Sequence, residues 1–558
     1  MFPTERISRR SVLRLAAIGA VGGLLAACGS SSDPTTEAAS TANSGSSSSS
    51  GSSPATPSAT TASPSSGSGG SSTTTSSSSG KTDLTLTLPA EPGFLNPVMV
   101  SGDRNFSKIS WQLYDSLVVY DFETKQLQPQ LATKWEMKDE TTWEFTLREG
   151  VQFHQGYGEL TASDVEFMVN TVVSQNKPLK FLYFFVESAK ATGTYTVEYK
   201  LSQAFAPFLV TTARDRAAMI VSKKAYEEMG EEKFNRNPVG TGPFEFVSWK
   251  SGQEIKLKKF DKYWQQDLPY LTDVTYRIVG DSITRESLLK TGEVDFIDAP
   301  DYKNVASWKK DNKYVVTSVP SWGTDWLPYS VTMPPFNKKE LRQAVSYAVD
   351  RQALVKDVYY GEAQADQGPL AEGYIGYPNP TVYPLTADTA KAKELLAAAG
   401  VPNGFKTTAI CTAQFKNETE IIAGQLAEVG IEMTVEVVDP GTSSARTKAL
   451  QFEVNMANLS YMTPDSDSTM YWFYHTDTVG NYGYNNPDVD KALEDARVTD
   501  DPQKRAEMYD SIIKTVLEDA PYTYLLHPNI VRIYKAGLQG VPLSPQDPVL
   551  ILNRAKWA

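Results

Sequence analysis

The sequence predicts a mixed α/β protein with more than one domain. Its 558 residues are too many for a single hydrophobic core, so two or three domains are expected. Strand-like alternation on both sides of a short turn, at Phe244–Trp249 and Glu254–Phe260, predicts a β-hairpin. Further along, helical patterns alternate with strand-like segments such as Lys406–Cys411 and Glu432–Val438, which indicates a mixed α/β domain.

A rigid turn introduces the hairpin. Residues 237–243 read NPVGTGP, so prolines with a fixed φ angle bracket two conformationally free glycines, Gly240 and Gly242. We expect this turn and hairpin to form the floor of a large domain, with earlier and later segments packed around them.

The N-terminal residues have the pattern of an export signal. Four arginines at positions 6, 9, 10 and 14 precede an apolar run, 15–27, that is too short to span a bilayer. Residues 8–13 (SRRSVL) resemble the twin-arginine signal. Residues 25–28 (LAAC) resemble the bacterial lipobox, in which the cysteine is acylated. We therefore expect a signal peptide at 1–27 and lipidation of Cys28, with a buried structural cysteine as the alternative.

A tether follows the predicted lipidation site. Residues 28–80 consist almost only of Ser, Thr, Gly, Ala and Pro, and such a composition cannot bury enough apolar surface to fold. About fifty flexible residues have a typical end-to-end distance of roughly 40 Å. The segment is expected to hold a folded body near a membrane, and a passive, glycosylated spacer is the alternative.

The folded body is expected to begin at residue 81. Lys81–Leu88 alternates like a strand, and Lys134–Lys138 with Thr142–Leu147 predicts a second hairpin. Several polar residues precede helical patterns and are predicted N-caps: Thr161, Asn337, Asp388, Asn486 and Asp501.

Composition and motifs argue against several classes of function. The formal charge of −13 is the wrong sign for binding a phosphate backbone. Two cysteines, Cys28 and Cys411, allow no disulfide framework, and no Cys/His metal cluster is predicted. The three histidines lie in separate segments, and no nucleophile elbow, HExxH or phosphate loop occurs. A pair of carboxylates for glycoside hydrolysis stays open, because spacing in space is not visible in a sequence.

A series of short motifs runs through the body in one order. They are YDSL (114–117), PQLA (129–132), WEF (143–145), LREGV (147–151), FH (153–154), LTASDV (160–165), NPVGTGPFEF (237–246), YW (263–264), TGEVD (291–295), RQAVSYAVDR (342–351) and EDAP (518–521). In these motifs the chain resembles the extracellular solute-binding proteins of ABC importers, a family that includes dipeptide-, oligopeptide- and nickel-binding proteins.

The resemblance implies a two-lobed, periplasmic-binding-protein-like fold with the ligand cleft between the lobes. Lobe one is expected at 81–312, with an inserted subdomain at about 114–235 and a return at 528–558. Lobe two is expected at 313–527. A ligand that contacts both lobes only when they are shut shifts the population toward the closed form.

The resemblance also places candidate ligand-binding residues on two segments. Peptide-binding members carry an aspartate that pairs with the peptide's amino group, and Asp465 is the best match, followed by Asp467, with Tyr461 nearby. A turn or helix N-cap is the alternative role for these aspartates. Trp322 and Trp326 follow the first lobe crossing and are expected to supply flat walls, with core packing as the alternative.

Three further residues are weaker candidates for the cleft, and one departure from the family pattern lies near it. Trp472 belongs to an aromatic helical run, and Asn481 with Tyr482 belongs to a loop. Residues 327–332 (LPYSVT) stand where the family usually has a stretch ending in Asn-Thr. Known specificities therefore do not transfer directly to this chain.

The sequence as a whole predicts a lipid-anchored, monomeric solute-binding protein on the outer face of the cytoplasmic membrane. It is expected to capture a short peptide and deliver it to an ABC permease, with no cofactor, metal or catalytic residue. The alternatives are another solute, such as chelated nickel, haem or an oligosaccharide, and a sensory receptor lipoprotein. A hydrolase is the least favoured class.

Overall fold

The computed structural model describes residues 80–99, 103–175, 177, 180, 183–213, 218–377, 380–459, 463–546 and 549–558. The predicted signal peptide, Cys28 and residues 28–79 of the predicted tether lie outside these ranges, so export, lipidation and tethering stay predictions. Within the described ranges, no helix has the length and apolar character needed to cross a membrane.

Strands and helices alternate along the described chain. The strands are β1 (Asp83–Leu88), β2 (Val118–Asp121), β3 (Gln126–Pro129), β4 (Ala132–Asp139), β5 (Thr142–Leu147), β6 (Val186–Ala191), β7 (Thr196–Leu201), β8 (Phe244–Lys250), β9 (Glu254–Lys259), β10 (Asp273–Ile278), β11 (Phe296–Asp298), β12 (Tyr314–Pro320), β13 (Thr324–Pro328), β14 (Ala363–Ala365), β15 (Lys406–Cys411), β16 (Glu432–Val437), β17 (Val454–Asn455), β18 (Ala457–Leu459), β19 (Tyr522–Lys535), β20 (Leu538–Gln539) and β21 (Lys556–Trp557).

The helices lie between and after these strands. They are Arg104–Leu113, Ala162–Ser174, Phe208–Thr211, Lys223–Met229, Glu231–Arg236, Ser282–Thr291, Tyr302–Trp308, Lys339–Ala348, Arg351–Asp357, Thr389–Ala398, Lys416–Ala427, Pro440–Lys448, Ser466–Tyr474, Pro487–Arg497 and Pro502–Asp519.

The long strand β19 belongs to both lobes of the fold. Its second half pairs with β11 and β12, next to the strands β1, β10, β9 and β8 of the first lobe. Its first half pairs with β13 and β14 in the second lobe. Where the pairing changes, Ser321 N donates to Pro528 O at 3.0 Å, and His527 Nδ1 lies 2.9 Å from Gly323 O. The two chain crossings between the lobes therefore lie side by side.

Smaller sheets complete the two lobes. A four-stranded antiparallel sheet, in the order β4–β5–β7–β6, falls within the predicted inserted subdomain. A parallel sheet, in the order β16–β15–β17, belongs to the second lobe. The expected mixed α/β, two-lobed fold is confirmed, while the lobe boundaries at 312/313 and 527/528 stay predictions.

Both predicted hairpins form, and the glycines of the NPVGTGP turn have a packing role. Antiparallel pairing joins β8 to β9 and β4 to β5. A Cβ added at Gly242 would lie 2.5 Å from Leu113 C and 2.6 Å from Gln112 O. At Gly240 it would lie 2.1 Å from Leu113 O. The turn needs glycine because it presses against the backbone at the end of the helix Arg104–Leu113.

We expect Gly242→Ala to lower the free energy of unfolding by about 1–3 kcal/mol, because the added methyl group meets backbone atoms that cannot rotate away. The matched control is Gly424→Ala, in the helix Lys416–Ala427, where an added Cβ meets nothing within 4 Å. That control should be neutral or stabilising by up to about 1 kcal/mol. Urea denaturation measures both, and equal effects of the two substitutions would contradict the close-approach argument.

Three of the motif segments meet at one buried carboxylate. Asp115 is 1% exposed, and its oxygens accept hydrogen bonds from Gln130 Nε2 (2.8 Å), Thr241 Oγ1 (2.9 Å) and Trp264 Nε1 (3.1 Å). Burial raises the pKa of Asp115 from its ordinary value near 3.8 to about 6, although these hydrogen bonds oppose the shift. The carboxylate ties the NPVGTGP turn to the segments around residues 115, 130 and 264.

This carboxyl should make the first lobe less stable as the pH rises from 4 to 6. In that interval the folded state keeps a proton that the unfolded state has released, so the group's contribution falls by about 2–3 kcal/mol. Asp115→Asn should remove this part of the pH dependence while lowering stability at every pH. Urea unfolding midpoints of the wild type and of Asp115→Asn, each at pH 4.5 and pH 7, measure the change of stability with pH. The same change in both proteins would contradict the role given to Asp115.

The predicted helix caps are confirmed at Asp388, Asn486 and Asp501, whose side chains accept from backbone N–H groups of the first turn. The cap predicted at Asn337 is wrong. The helix begins at Lys339 after an extended Lys338, and Lys338 N donates to Pro335 O, so Asn337 belongs to a separate turn before the helix.

Candidate functional site

A cavity lies between the lobes, directly at the two crossings, and we call it the hinge cavity. Its volume is about 320 Å³. It is lined by Arg104, Lys108, Asp298, Ala299, Pro300, Tyr302, Ser321, Asp325, Tyr359, Gln414, Phe415, Asn458, Pro528, Asn529, Ile530 and Val531. Because both lobes and both crossings supply its walls, its shape depends on how the lobes are closed.

The first lobe presents two cations that stand one helical turn apart. The helix that carries them begins at Arg104, capped by Asp103, whose carboxylate accepts from Asn105 N and Phe106 N. Lys108 is buried and forms an ion pair with Asp298, which also lies 3.5 Å from Arg532 Nε. Arg104 is exposed at the start of the helix. The cavity wall therefore has one buried cation, Lys108, and one cation at its exposed edge, Arg104.

The second lobe presents a carboxylate, Asp325, on β13. It is fully buried, and it accepts hydrogen bonds from Asn458 Nδ2 at 2.5 Å and from Tyr359 Oη. Tyr359 Oη also lies 3.1 Å from Glu418 Oε2. A phenol has only one proton to donate, so its contact with the second carboxyl needs a proton on that carboxyl.

The pKa shifts of the two carboxyls agree with this hydrogen-bond pattern. Burial raises the pKa of Asp325 to about 6, against the opposing effect of the Tyr359 and Asn458 hydrogen bonds. Burial, together with the charge of Asp325, raises the pKa of Glu418 well above its ordinary value. Both shifts have the same direction, and the charge of Asp325 adds to the effect of burial at Glu418, so of the two carboxyls Glu418 is the one that favours the protonated form.

A polar contact joins the lobes across the cavity. Arg104 Nη1 in the first lobe donates to Asn458 Oδ1 in the second lobe at 3.4 Å. The same Asn458 amide donates to Asp325, so a cation and a carboxylate from opposite lobes share one bridging residue. A solute between them would meet positive charge on one wall and negative charge on the other.

The strand that carries Trp326 is a neighbour of the strand that precedes the other candidate segment. β13, which carries Trp326, pairs with β18, and Trp326 stands opposite Ala457. Tyr461 lies outside the described residues, so its predicted role is left as a prediction.

The two candidate tryptophans make packing contacts. Trp326 is 2% exposed and packs against the rings of Tyr522 (4.6 Å) and Phe473 (4.9 Å). Trp322 is also buried; its ring centroid lies 4.8 Å from that of Tyr374, and its Nε1 donates to Glu372 O. These contacts are those expected for the alternative role, core packing, and ligand binding by either residue stays a prediction.

The two candidate aspartates are paired with arginines. Asp465 caps the helix Ser466–Tyr474, and both its oxygens accept from Arg505 at 2.6 Å. Asp467 accepts from Arg497 Nε at 3.1 Å and Nη2 at 3.0 Å. An ammonium group that binds Asp465 would have to compete with this guanidinium, so the amino-group role of Asp465 and the ligand role of Asp467 stay predictions.

The remaining candidates lie away from the hinge cavity. Trp472 is half-buried and lines a second cavity between its own helix and the segment 184–211. The Asn481 amide donates to the carbonyls of His475, Thr476 and Tyr484, which fixes a loop. Tyr482 packs against Phe452 and Trp326. The ligand roles of these three residues also stay predictions.

Sequence reasoning passed over Arg104, Asp325, Tyr359 and Asn458. Only Asp325 carried a local signal, since it is a charged residue inside the otherwise uncharged strand TDWLP. Among the described residues, no group of three or more His, Cys, Asp or Glu side chains could hold a metal ion.

Comparison with known proteins finds the same family over most of the folded body. The family model described as bacterial extracellular solute-binding proteins, family 5 Middle, matches residues 126–481. The glutathione-binding protein GsiB of Escherichia coli O1:K1 / APEC is 30% identical over 461 residues, covering 80% of this chain and 89% of GsiB.

Solved structures agree with the sequence comparison. The periplasmic binding protein DppA of Helicobacter pylori, in complex with the peptide STSA, is 27% identical with a TM-score of 0.75, covering 86% of this chain and 98% of DppA. The oligopeptide-binding protein AppA of Bacillus subtilis, in complex with a nonapeptide, is 25% identical with a TM-score of 0.74, covering 86% of this chain and 99% of AppA.

Proposed function

The chain belongs to family 5 of the bacterial extracellular solute-binding proteins, and we propose that it captures a short peptide in the hinge cavity and delivers it unchanged to an ABC-type importer. The observation that carries this proposal is that two opposite charges from opposite lobes, Arg104 and Asp325, line one cavity at the crossings and are bridged by Asn458. A peptide has a carboxylate and an ammonium group at its ends. It can satisfy both walls only when the lobes are shut, so binding favours closure.

The size of the cavity supports a small solute. Its volume of about 320 Å³ lies at the lower end of the range of about 300–1,000 Å³ that is usual for small-molecule sites. The ligands in the names of the three similar proteins described above, glutathione, STSA and a nonapeptide, are peptides. A short peptide therefore fits both the charge and the volume of the site.

Each wall has a distinct role in this proposal. Arg104, at the exposed start of its helix, takes the solute carboxylate through charge-assisted hydrogen bonds. Asp325 and Asn458 take the donor groups of the solute. Lys108 stays paired with Asp298 and sets the position of the first-lobe wall.

The proposal includes a location and a partner. Lipidation of Cys28 and the tether at 28–80 would hold a monomeric binding protein at the outer face of the cytoplasmic membrane. There the closed form would meet the permease, and the chain itself would perform no chemistry. Lobe one at 81–312 and 528–558, and lobe two at 313–527, are part of the same proposal.

Calorimetric titration of the full chain tests the function. The titrants are a mixed dipeptide-to-pentapeptide library, with oligosaccharides and Ni²⁺ as controls. We expect saturable binding of peptides and none of the controls. Tight binding of a control solute, with no heat from any peptide, would remove the peptide assignment and leave the fold and family standing.

A further inference from the structure

A second cavity lies between the two lobes, away from the hinge cavity, and we call it the aromatic cavity. Its volume is about 310 Å³. The segment 184–211 supplies Phe184, Phe185 and Phe205, and the helix Ser466–Tyr474 supplies Tyr471 and Trp472. Rings from both sides of the interlobe seam therefore face one enclosed space.

The buried charges in this wall cancel. Arg497 donates two hydrogen bonds to Asp467, and both side chains are 4% exposed. The guanidinium also stacks 3.2 Å from the ring centre of Tyr471 and 4.7 Å from that of Phe184. Because the arginine is satisfied by a carboxylate and two ring faces, the buried part of the wall has no net charge, and the exposed Asp477 is a further charged residue of the lining.

The size and the rim of the cavity fit an apolar ring. A dry apolar cavity of about 150 Å³ is enough for benzene, so about 310 Å³ has room for a phenyl or indole group. One of the lining rings, Phe184, is 49% exposed, so part of the apolar wall meets solvent. Apolar surface left at the mouth of a cavity marks a place where a ligand gains by leaving water.

The aromatic cavity lies within reach of a solute in the hinge cavity. Asn458 lines the hinge cavity and Thr463 lines the aromatic cavity. Five residues of chain span at most about 18 Å. A peptide of a few residues has a similar extended length, so one solute can place its charged ends at the hinge cavity and a side chain in the aromatic cavity.

We propose that the aromatic cavity is a subsite that takes an aromatic or bulky apolar side chain of the captured solute. The inference rests on the proposed function and narrows it to peptides that carry such a side chain. Because rings of segment 184–211 and of the helix Ser466–Tyr474 line the cavity together, an apolar side chain that contacts both favours the form in which the two segments face each other.

The test fills the cavity without touching the hinge cavity. Thr211 lines it and is half-buried, and its hydroxyl donates to Phe208 O within its own helix. Thr211→Trp occupies the space, and Thr211→Ser is the matched control that keeps the hydroxyl. The probes are the tripeptide Ala-Ala-Ala, its three single-phenylalanine versions, and free p-cresol, each titrated into the full chain.

For the wild type we expect at least one phenylalanine tripeptide to bind ten times more tightly than Ala-Ala-Ala. Thr211→Trp should remove that preference and leave the affinity for Ala-Ala-Ala unchanged, and Thr211→Ser should behave as the wild type. Saturation-transfer NMR should detect p-cresol on the wild type and on Thr211→Ser, and not on Thr211→Trp.

Each outcome separates the subsite from the broader function. A phenylalanine preference, or a p-cresol signal, that survives in Thr211→Trp overturns the subsite. Peptide binding with no phenylalanine preference in the wild type also overturns it and leaves the proposed function intact. A third outcome is a p-cresol signal on the wild type and on Thr211→Ser, none on Thr211→Trp, and no binding of any peptide. That result supports an apolar binding site in the aromatic cavity and overturns the proposal that the protein captures peptides.

Discussion

Replacing Arg505 with methionine is expected to lower the free energy of unfolding by about 3–5 kcal/mol, because Asp465 would be left as a buried charge without its partner. The guanidinium is 5% exposed and the carboxylate 2% exposed. Besides its two hydrogen bonds to Asp465, Arg505 donates to Ala496 O and Tyr509 Oη. It therefore joins the helix Pro502–Asp519 to the start of the helix Ser466–Tyr474 and to the end of the helix Pro487–Arg497.

A lysine on the same helix is the matched control. Lys514 pairs with Asp510 at 2.6 Å on the exposed surface, so Lys514→Met should cost less than about 1 kcal/mol. Urea denaturation compares the two variants. Equal losses of unfolding free energy in Arg505→Met and Lys514→Met would show that burial does not make the Arg505–Asp465 pair stronger than a surface pair.

Asp465→Asn separates the structural role of Asp465 from the predicted ligand role. A structural role predicts a stability loss similar to that of Arg505→Met, with peptide affinity unchanged at a temperature where the variant is folded. A role in holding the solute's ammonium group predicts an affinity loss of at least tenfold, about 1.4 kcal/mol. The free energy of unfolding and the peptide affinity, measured on the same variant, together decide which of the two roles Asp465 has.

Replacing Arg104 with glutamine is expected to weaken peptide binding by about 10–100-fold. A charge-assisted hydrogen bond contributes about 1.5–3 kcal/mol, and glutamine keeps a neutral donor of similar length. Because Arg104 is exposed at the start of its helix, the free energy of unfolding should change by less than about 0.5 kcal/mol. Calorimetry with the tightest peptide of the library measures the affinity.

Amidating the peptide's C-terminus completes the experiment. The wild type should bind the amidated peptide more weakly than the free acid, by the same factor that Arg104→Gln costs. Arg104→Gln should bind the two peptides equally well, because the substitution and the amidation each remove the same contact. Arg277→Gln is the control, since Arg277 pairs with Glu293 on the surface and is not among the residues lining the hinge cavity. Additive losses from the variant and the amidation would contradict direct contact.

Local patterns predicted much of the secondary structure. The period-two alternation predicted at Phe244–Trp249 and Glu254–Phe260 forms the paired strands β8 (Phe244–Lys250) and β9 (Glu254–Lys259), and Asp501 caps the helix that begins at Pro502. The prediction of a cap at Asn337 was wrong because a preceding turn, which depends on Pro335, takes up that residue. Such signals work where the interactions lie within a few residues of each other.

The sequence by itself determined the family, the hairpins and most of the caps, because motif order, alternation and capping depend on neighbours along the chain. Only the tertiary structure decided the site. Arg104 and Asn458 are 354 positions apart, and Asn458 and Asp325 are 133 apart. Pairing of β13 with β18 brings Asp325 and Asn458 together, and only the packing of the helix Arg104–Leu113 brings Arg104 to them. Likewise, Asp465 meets Arg505, forty positions later, only when the helices pack. A carboxylate's role depends on the partner that reaches it, and that partner is set by the fold.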